Sequence, residues 1–83
     1  TQGKIVTLFL MLEDIPGILS TLLNIIARVK ANILTINQNI PINGVANITI
    51  SIRTGNMTEN IEQFISQIEQ IEGVKRVEVL ATE

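Results

Sequence analysis

The sequence predicts an α+β fold whose elements follow the order strand, helix, strand, strand, helix, strand. Four stretches carry the apolar pattern of β-strands, and two carry apolar residues at helical spacing. Asn43–Gly44 stands between the second and third strands, and an Asn-Gly pair is the strongest short signal for a β-hairpin. Because 83 residues make one domain at most, we expect a single domain over residues 1–83, cut from a longer chain.

The first strand and the first helix are separated by a short polar turn. Lys4 to Leu12 is apolar on both faces except at Thr7, which predicts a central strand buried on both sides. The helix is predicted from Ile18 to Lys30, with Pro16 in its first turn, where the missing N–H of proline is tolerated. Asp14 has two interpretations that stay open: an N-cap of this helix, or a partner for a ligand ammonium group.

The second and third strands form the predicted hairpin, over Asn32–Ile40 and Val45–Arg53. Strict alternation along the second strand places Leu34, Ile36 and Ile40 on one face and Ile33 on the opposite, polar face. The third strand alternates between an apolar inward set and a polar outward set. The inward residues are Ala46, Ile48, Ile50 and Ile52, and the outward residues are Asn47, Thr49, Ser51 and Arg53.

The remaining third of the chain predicts a second helix followed by a last strand. Thr58 is the expected N-cap of the helix, and Gly73 is expected as the C′ residue that ends it. The last strand is predicted over Val74 to Leu80. The apolar stripe of the helix consists of Ile61, Phe64, Ile65, Ile68 and Ile71.

This order of elements predicts the ferredoxin-like βαββαβ fold. Two right-handed crossovers then give a four-stranded antiparallel sheet in the order 4-1-3-2, with both helices on one face. Strand 2 becomes an edge that carries no protecting lysine. We therefore expect a homodimer through strand 2, with Leu23 and Ile26 of helix 1 adding to the interface.

Composition argues against several classes of function. The net charge is −2 and the six basic residues are scattered, so we expect no nucleic-acid contact. No apolar run reaches the roughly 18 residues of a membrane span, so we expect no membrane partner. The chain has no His and no Cys, so we expect no metal site, no cofactor and no enzyme activity. The missing cysteine also favours a cytoplasmic location.

Several motifs of this sequence resemble those of the ACT domain. Asp14–Leu19 reads Asp-Ile-Pro-Gly-Ile-Leu, and it is followed by Ile25–Ala27 and Asn32–Leu34 at the spacing of that family. The segments Asn37–Pro41 and Gly44–Asn47 are most similar to the C-terminal ACT domain of small bacterial PheB-type proteins. The resemblance covers nearly the whole chain and agrees with the order of strands and helices predicted above.

The resemblance implies a regulatory module that binds an amino acid between two chains. It implies that an N-terminal region precedes the domain in the longer protein. The apolar residues of the matching segments favour phenylalanine as the first candidate ligand. Gly17 would let the ligand approach the backbone closely. The implied ligand-binding residues are Asp14, Ile15, Pro16, Gly17, Ile18 and Leu19 of one chain and Asn32, Ile33 and Leu34 of its neighbour.

Two departures from the family pattern keep other functions open. Lys30 stands where the family usually has glycine, and Leu12–Glu13 offers no cation for a ligand carboxylate. Both departures favour the second hypothesis, a dimerisation module without a ligand. The third hypothesis, an enzyme of the chorismate mutase type, needs convergent cations, whereas the three arginines fall on different elements. Those arginines are Arg28, Arg53 and Arg76.

Overall fold

A computed structural model describes residues 4–83, so the first three residues of the predicted domain lie outside the described part. The elements are β1 (Ile5–Glu13), α1 (Ile18–Arg28), β2 (Asn32–Gln38), β3 (Val45–Arg53), α2 (Ile61–Glu69) and β4 (Val74–Thr82). The strands form one antiparallel sheet in the order β2-β3-β1-β4. The predicted ferredoxin-like fold and its strand order are therefore confirmed.

The core lies between one face of the sheet and the two helices. Alternate residues of β1 and β3 are buried there, and the apolar stripes of both helices pack against them. The opposite face of β1 is only half-buried, at Ile5, Thr7, Phe9 and Met11. The central position of β1 is thus confirmed, but its expected burial on both sides is wrong for a single protomer, because both helices cover the same face.

A β-bulge in β2 changes which of its residues face the core. Ile33 pairs with Ile52 of β3, whereas Thr35 pairs with Ser51, so Leu34 is an extra residue between them. Ile33 therefore lies on the helix side of the sheet, and its predicted place on the polar face is wrong. Strict alternation failed because a bulge shifts every residue on one side of it by one position.

The predicted hairpin turn is confirmed. Asn43 and Gly44 both have positive φ, at 54° and 76°, as a type I′ turn requires. The N–H of Ile42 donates to the carbonyl of Val45 at 3.0 Å, and the N–H of Val45 donates back at 3.1 Å. The turn therefore holds β2 and β3 in register where β2 ends.

α1 begins at Ile18 as predicted, but the turn that leads into it differs from its prediction. Pro16 and Gly17 are the two central residues of a type II turn, in which the N–H of Ile18 donates to the carbonyl of Ile15 at 3.4 Å. Gly17 has φ 83° and is the N-cap, without a side-chain capping bond. Asp14 is therefore no N-cap and Pro16 is outside the first helical turn, because the turn formed by residues 15–18 separates Asp14 from the helix.

The cap of α2 is also two residues later than expected. Asn60 is the N-cap, and it forms a reciprocal capping box with Gln63 at 2.8 and 3.1 Å. The predicted cap, Thr58, instead donates its hydroxyl to the carbonyl of Val29 at 3.4 Å. Thr58 therefore ties the loop before α2 to the end of α1.

α1 ends in a turn with a residue at positive φ, whereas α2 does not. After α1, the N–H of Lys30 donates to Ala27 and that of Ala31 to Ile26, which is a Schellman motif with Lys30 at φ 62°. After α2, the helix ends at Glu69, and Gly73 with φ 99° belongs to a later turn rather than the C′ position.

Within residues 4–83, no helix is long and apolar enough to cross a membrane.

We predict that Lys30→Gly stabilises the domain, because glycine adopts positive φ without the steric penalty of a side chain. The expected gain is about 1 kcal/mol, or about 4–8 °C in melting temperature at this size. Ala27→Gly is the matched control, since this exposed helical position should lose about 1 kcal/mol. A lower melting temperature for Lys30→Gly in thermal unfolding would contradict the prediction.

Candidate functional site

Three connections meet at the end of the sheet where β1 finishes. They are the β1–α1 turn, the β2–β3 hairpin and the turn between α2 and β4. The N–H of Glu13 donates to the carbonyl of Gly73 at 2.7 Å, and the N–H of Asp14 donates to the carbonyl of Gly44 at 2.8 Å. These bonds anchor the start of the β1–α1 turn to both of its neighbours. We call this end of the sheet, with residues 13–19, 43–44 and 71–73, the loop end.

The β1–α1 turn presents its middle to solvent and its flanks to the core. Asp14, Ile15, Pro16 and Gly17 are exposed, Leu19 is half-buried, and Ile18 is buried in the core. A Cβ atom at Gly17 would meet no heavy atom of the described residues within 4 Å. The backbone of this turn is therefore open to close approach from outside, whereas Ile18 serves the core.

Gly73 supports this turn from the other side, a role that the sequence did not indicate. A Cβ atom at Gly73 would lie 2.6 Å from Cδ1 of Ile18 and 3.1 Å from Cδ1 of Ile15. An alanine at this position would therefore have to displace the δ-methyl ends of the two isoleucine side chains. Periodicity marked Gly73 as a helix terminus, and its contact with the β1–α1 turn depends on the tertiary fold.

The second predicted segment, Asn32–Leu34, lies at the opposite end of the sheet. Asn32 pairs with Arg53, and Arg53 pairs with Ile5 at the start of β1, whereas Glu13 pairs with Val45 at the loop end. The eight steps from Ile5 to Glu13 span about 26 Å at about 3.3 Å per residue. A single protomer therefore does not bring the two predicted halves of the site together.

The outer edge of β2 carries an exposed apolar patch that continues into the hairpin. Leu34 is 37% exposed, Ile36 43%, Ile40 85% and Ile42 71%. Large apolar side chains are usually buried, and a contiguous exposed group of them marks an interaction surface. We call these four residues the edge patch. The edge of a sheet also offers free backbone N–H and C=O groups to another strand.

The cationic side chain of Arg53 lies beside Asn32, and the sequence did not predict that they are neighbours. Arg53 is directly opposite Asn32 in the β2–β3 register, on the open face of the sheet. Its Nε atom is buried and has no hydrogen-bond partner within residues 4–83. The register of β2 and β3 brings these two residues together. That register depends on the bulge at Leu34, which the sequence did not predict.

The three arginines do not form a cluster. Arg28 donates to Oε1 of Gln67 at 3.3 Å, on the helix side of the sheet. Arg76 pairs with Met11 and Arg53 with Ile5, which are six residues apart on β1, or about 20 Å. In the part of the chain that the structure describes, no three His, Cys, Asp or Glu residues come close enough to hold a metal ion.

The comparisons with known proteins agree on one family. The family model of the ACT domain matches residues 3–78. The chain is 57% identical over 83 residues to a UPF0735 ACT domain-containing protein of Caldicellulosiruptor saccharolyticus, covering 100% of this chain and 55% of that protein. It is 59% identical over 83 residues to one of Acetivibrio thermocellus, covering 100% of this chain and 56% of that protein. The chain thus spans about half the length of these curated relatives.

Solved structures show the same fold at low sequence identity. The ACT domain of GTP pyrophosphokinase of Chlorobium tepidum superposes with a TM-score of 0.75 at 20% identity, covering 92% of this chain and 96% of that one. The acetolactate synthase small subunit of Thermotoga maritima gives 0.75 at 21% identity, covering 90% of this chain and 46% of that one. At these identities the likeness establishes the fold alone.

We predict that Gly73→Ala destabilises the domain more than Gly17→Ala does. Both positions have positive φ, so each substitution should cost about 1–2 kcal/mol of backbone strain. Only the alanine at Gly73 also meets neighbouring side chains, and displacing their δ-methyl ends from a preferred rotamer should add about 0.5–1.5 kcal/mol. Urea unfolding measures both variants, and equal losses would contradict the supporting role of Gly73.

Proposed function

This chain belongs to the ACT domain family, a family of regulatory ligand-binding domains, and we propose that it binds an amino acid, with phenylalanine as the first candidate, between two copies of itself. The observation that carries the proposal is the separation of the two candidate segments. Asp14–Leu19 and Asn32–Leu34 lie at opposite ends of one sheet, so a site made of both needs a second chain.

Pairing of β2 with its copy would supply that second chain in the right orientation. Antiparallel pairing about a twofold axis sets the start of one β2 beside the end of the other. Asn32 of one protomer then approaches the loop end of its partner. The edge patch supports this arrangement, because pairing along β2 would remove its exposed side chains from water.

The residues of the two segments suit a zwitterion with an apolar side chain. Asp14 offers a carboxylate to a ligand ammonium group, and the amide of Asn32 offers both a donor and an acceptor. Arg53, next to Asn32 in the register, offers the guanidinium that the β1–α1 turn lacks. Ile15 and Leu19 supply apolar surface on one side of the pocket, and Ile33 and Leu34 on the other.

A dimerisation module without a ligand is the second candidate. The edge patch favours it, because its burial stabilises a dimer whether or not a ligand is present. Lys30 favours it as well, since the residue that holds the left-handed turn before Asn32 departs from the family pattern. A chorismate mutase activity is the third candidate, and it is disfavoured because the arginines are far apart.

The proposal extends to the longer protein. The UPF0735 relatives are nearly twice the length of this chain, which supports a further region whose activity the domain regulates. We propose that this region is N-terminal, as in the PheB-type proteins. A cytoplasmic location stays part of the proposal and depends on the cysteine-free composition.

The dimer is tested at the edge patch. We expect the chain to sediment as a dimer at micromolar concentration and Ile36→Lys to sediment as a monomer, because a lysine on the edge opposes strand pairing. Leu80→Lys is the matched control on β4, where a residue of similar exposure, 54% against 43%, lies at the other edge of the sheet. A monomeric parent chain in ultracentrifugation would refute the pairing.

The ligand is tested by thermal shift with the amino acids, chorismate and prephenate. We expect phenylalanine at 100 times its dissociation constant to add about 2.7 kcal/mol, or several degrees in melting temperature. Asp14→Ala and Asn32→Ala, both at exposed positions, should each abolish the part of the response that comes from the interface. No response to any compound would favour the dimerisation module.

Mixing these two variants tests whether the site is shared between chains. In a mixed dimer, one site contains both substitutions and the other contains neither. After equal mixing and re-association, about a quarter of the sites should be intact. Recovery of binding to about that level supports the shared site, whereas no recovery shows that both residues act within one chain.

A further inference from the structure

A cavity of about 320 Å³ opens at the end of the sheet opposite the loop end. It lies between the start of α2, the start of β1 and the end of β4, where Val6 pairs with Thr82. None of the nine residues proposed for the interfacial site lines it. This volume is at the lower end of the range for small-molecule pockets, about 300–1,000 Å³. The cavity is therefore a second place on the domain that a small molecule can enter.

The inner wall of the cavity is apolar. Val6 forms part of it and is buried, and Met57 and Ile61 are half-buried beside it. Val79 of β4 also lines the cavity but remains 47% exposed. An apolar group in the cavity would cover Val79 and complete its burial, which favours occupants with a hydrophobic body.

Two opposite charges stand at the cavity, on Lys4 and Glu59. They form no ion pair with each other within 4.0 Å, and the ion pairs of residues 4–83 join Lys75 to Glu13 and Arg76 to Glu78. A molecule that carries both charges, an ammonium and a carboxylate, would complement both groups at once. An occupant with only one charge leaves one of the two groups without a partner of opposite charge.

The groups around the cavity are held in place by other contacts. The backbone N–H and the hydroxyl of Thr54 both donate to the carbonyl of Lys4, at 2.9 and 3.1 Å. The carboxylate of Glu59 accepts a hydrogen bond from the amide of Gln67, whose oxygen in turn accepts one from Arg28. The start of α2 is fixed by its capping box. These contacts fix the backbone of Lys4, the carboxylate of Glu59 and the start of α2 around the cavity.

We propose that this cavity binds an apolar α-amino acid as a zwitterion within a single protomer. Lys4 would contact the carboxylate, Glu59 the ammonium group, and Met57, Ile61 and Val79 the side chain. The site goes beyond the interfacial one, because it is built by one chain and does not depend on dimerisation.

Methyl NMR spectra test the proposal with three probes that share a phenylethyl group. L-Phenylalanine carries both charges, 3-phenylpropanoate only the carboxylate, and 2-phenylethylamine only the ammonium. We expect phenylalanine to shift the methyl resonances of Met57 and Val79, and each single-charge probe to bind at least about threefold more weakly. Equal affinity of 3-phenylpropanoate and phenylalanine would overturn the zwitterion, and no shift at these methyl groups would overturn the site.

Charge variants and a blocking variant identify the contacts. Lys4→Gln and Glu59→Gln should each weaken phenylalanine binding by about threefold, and Val79→Phe should abolish the phenylalanine-dependent shift of the Met57 methyl group by filling the cavity. The matched controls are Lys30→Gln and Glu62→Gln, which change exposed charges outside the cavity. If the controls weaken the shifts as much as the cavity variants do, the assignment is wrong.

The monomeric variant separates this site from the interfacial one. Ile36→Lys should lose interfacial binding but keep the phenylalanine-dependent shifts of Met57 and Val79. If phenylalanine instead shifts only Ile15 and Ile33 in the parent chain, the interfacial proposal stands and the cavity proposal fails. If it shifts only the cavity methyl groups, the reverse holds.

Discussion

The rest of the structure depends on the pairing of β1 with a strand on each side. β3 and β4 both run antiparallel to β1, and the inward side chains of β1 are fully buried beneath the helices. This arrangement fixes which connections share an end of the sheet. The end of β1 meets the hairpin and the α2–β4 turn, and its start meets the end of β4. The β1–α1 turn of the interfacial site therefore lies at one end of β1, and the cavity lies at the other.

The two edges of the sheet differ in a way that favours a closed assembly. β2 carries apolar side chains, no charged residue and one register shift against β3, whereas β4 carries Lys75 and Arg76 and has two register shifts against β1. Charges and bulges on an edge strand oppose further pairing. If both edges paired equally well, the chain would build an open fibre, so the asymmetry is consistent with a dimer through β2.

The sequence predicted those features that depend on local patterns. The order of elements, the central place of β1 and the Asn43–Gly44 turn followed from periodicity and turn chemistry. The errors fall where tertiary contacts decide. Ile33 is on the other face because of the bulge, and Asp14 is no cap because Pro16 and Gly17 form a separate turn.

The candidate site was predictable only in its parts. The motif around Asp14 and the Asn32 segment stood out in the sequence, since each carries recognisable residue types. Their separation within one protomer, the support from Gly73 and the neighbourhood of Arg53 all depend on strand register and on packing between distant turns. Neither register nor such packing leaves a signal in a single sequence.

A ligand site shared by two chains has a thermodynamic consequence that a site within one chain lacks. If the ligand binds only to the dimer, ligand binding and dimerisation are linked, and each strengthens the other by the same factor. Interfacial binding would then weaken on dilution and the dimer would tighten with added ligand. A molecule in the cavity between α2 and β4 would bind a monomer and a dimer equally, provided that pairing along β2 leaves the opposite, β4 edge of the sheet unchanged. The dependence of ligand binding on protein concentration thus distinguishes the interfacial site from the cavity.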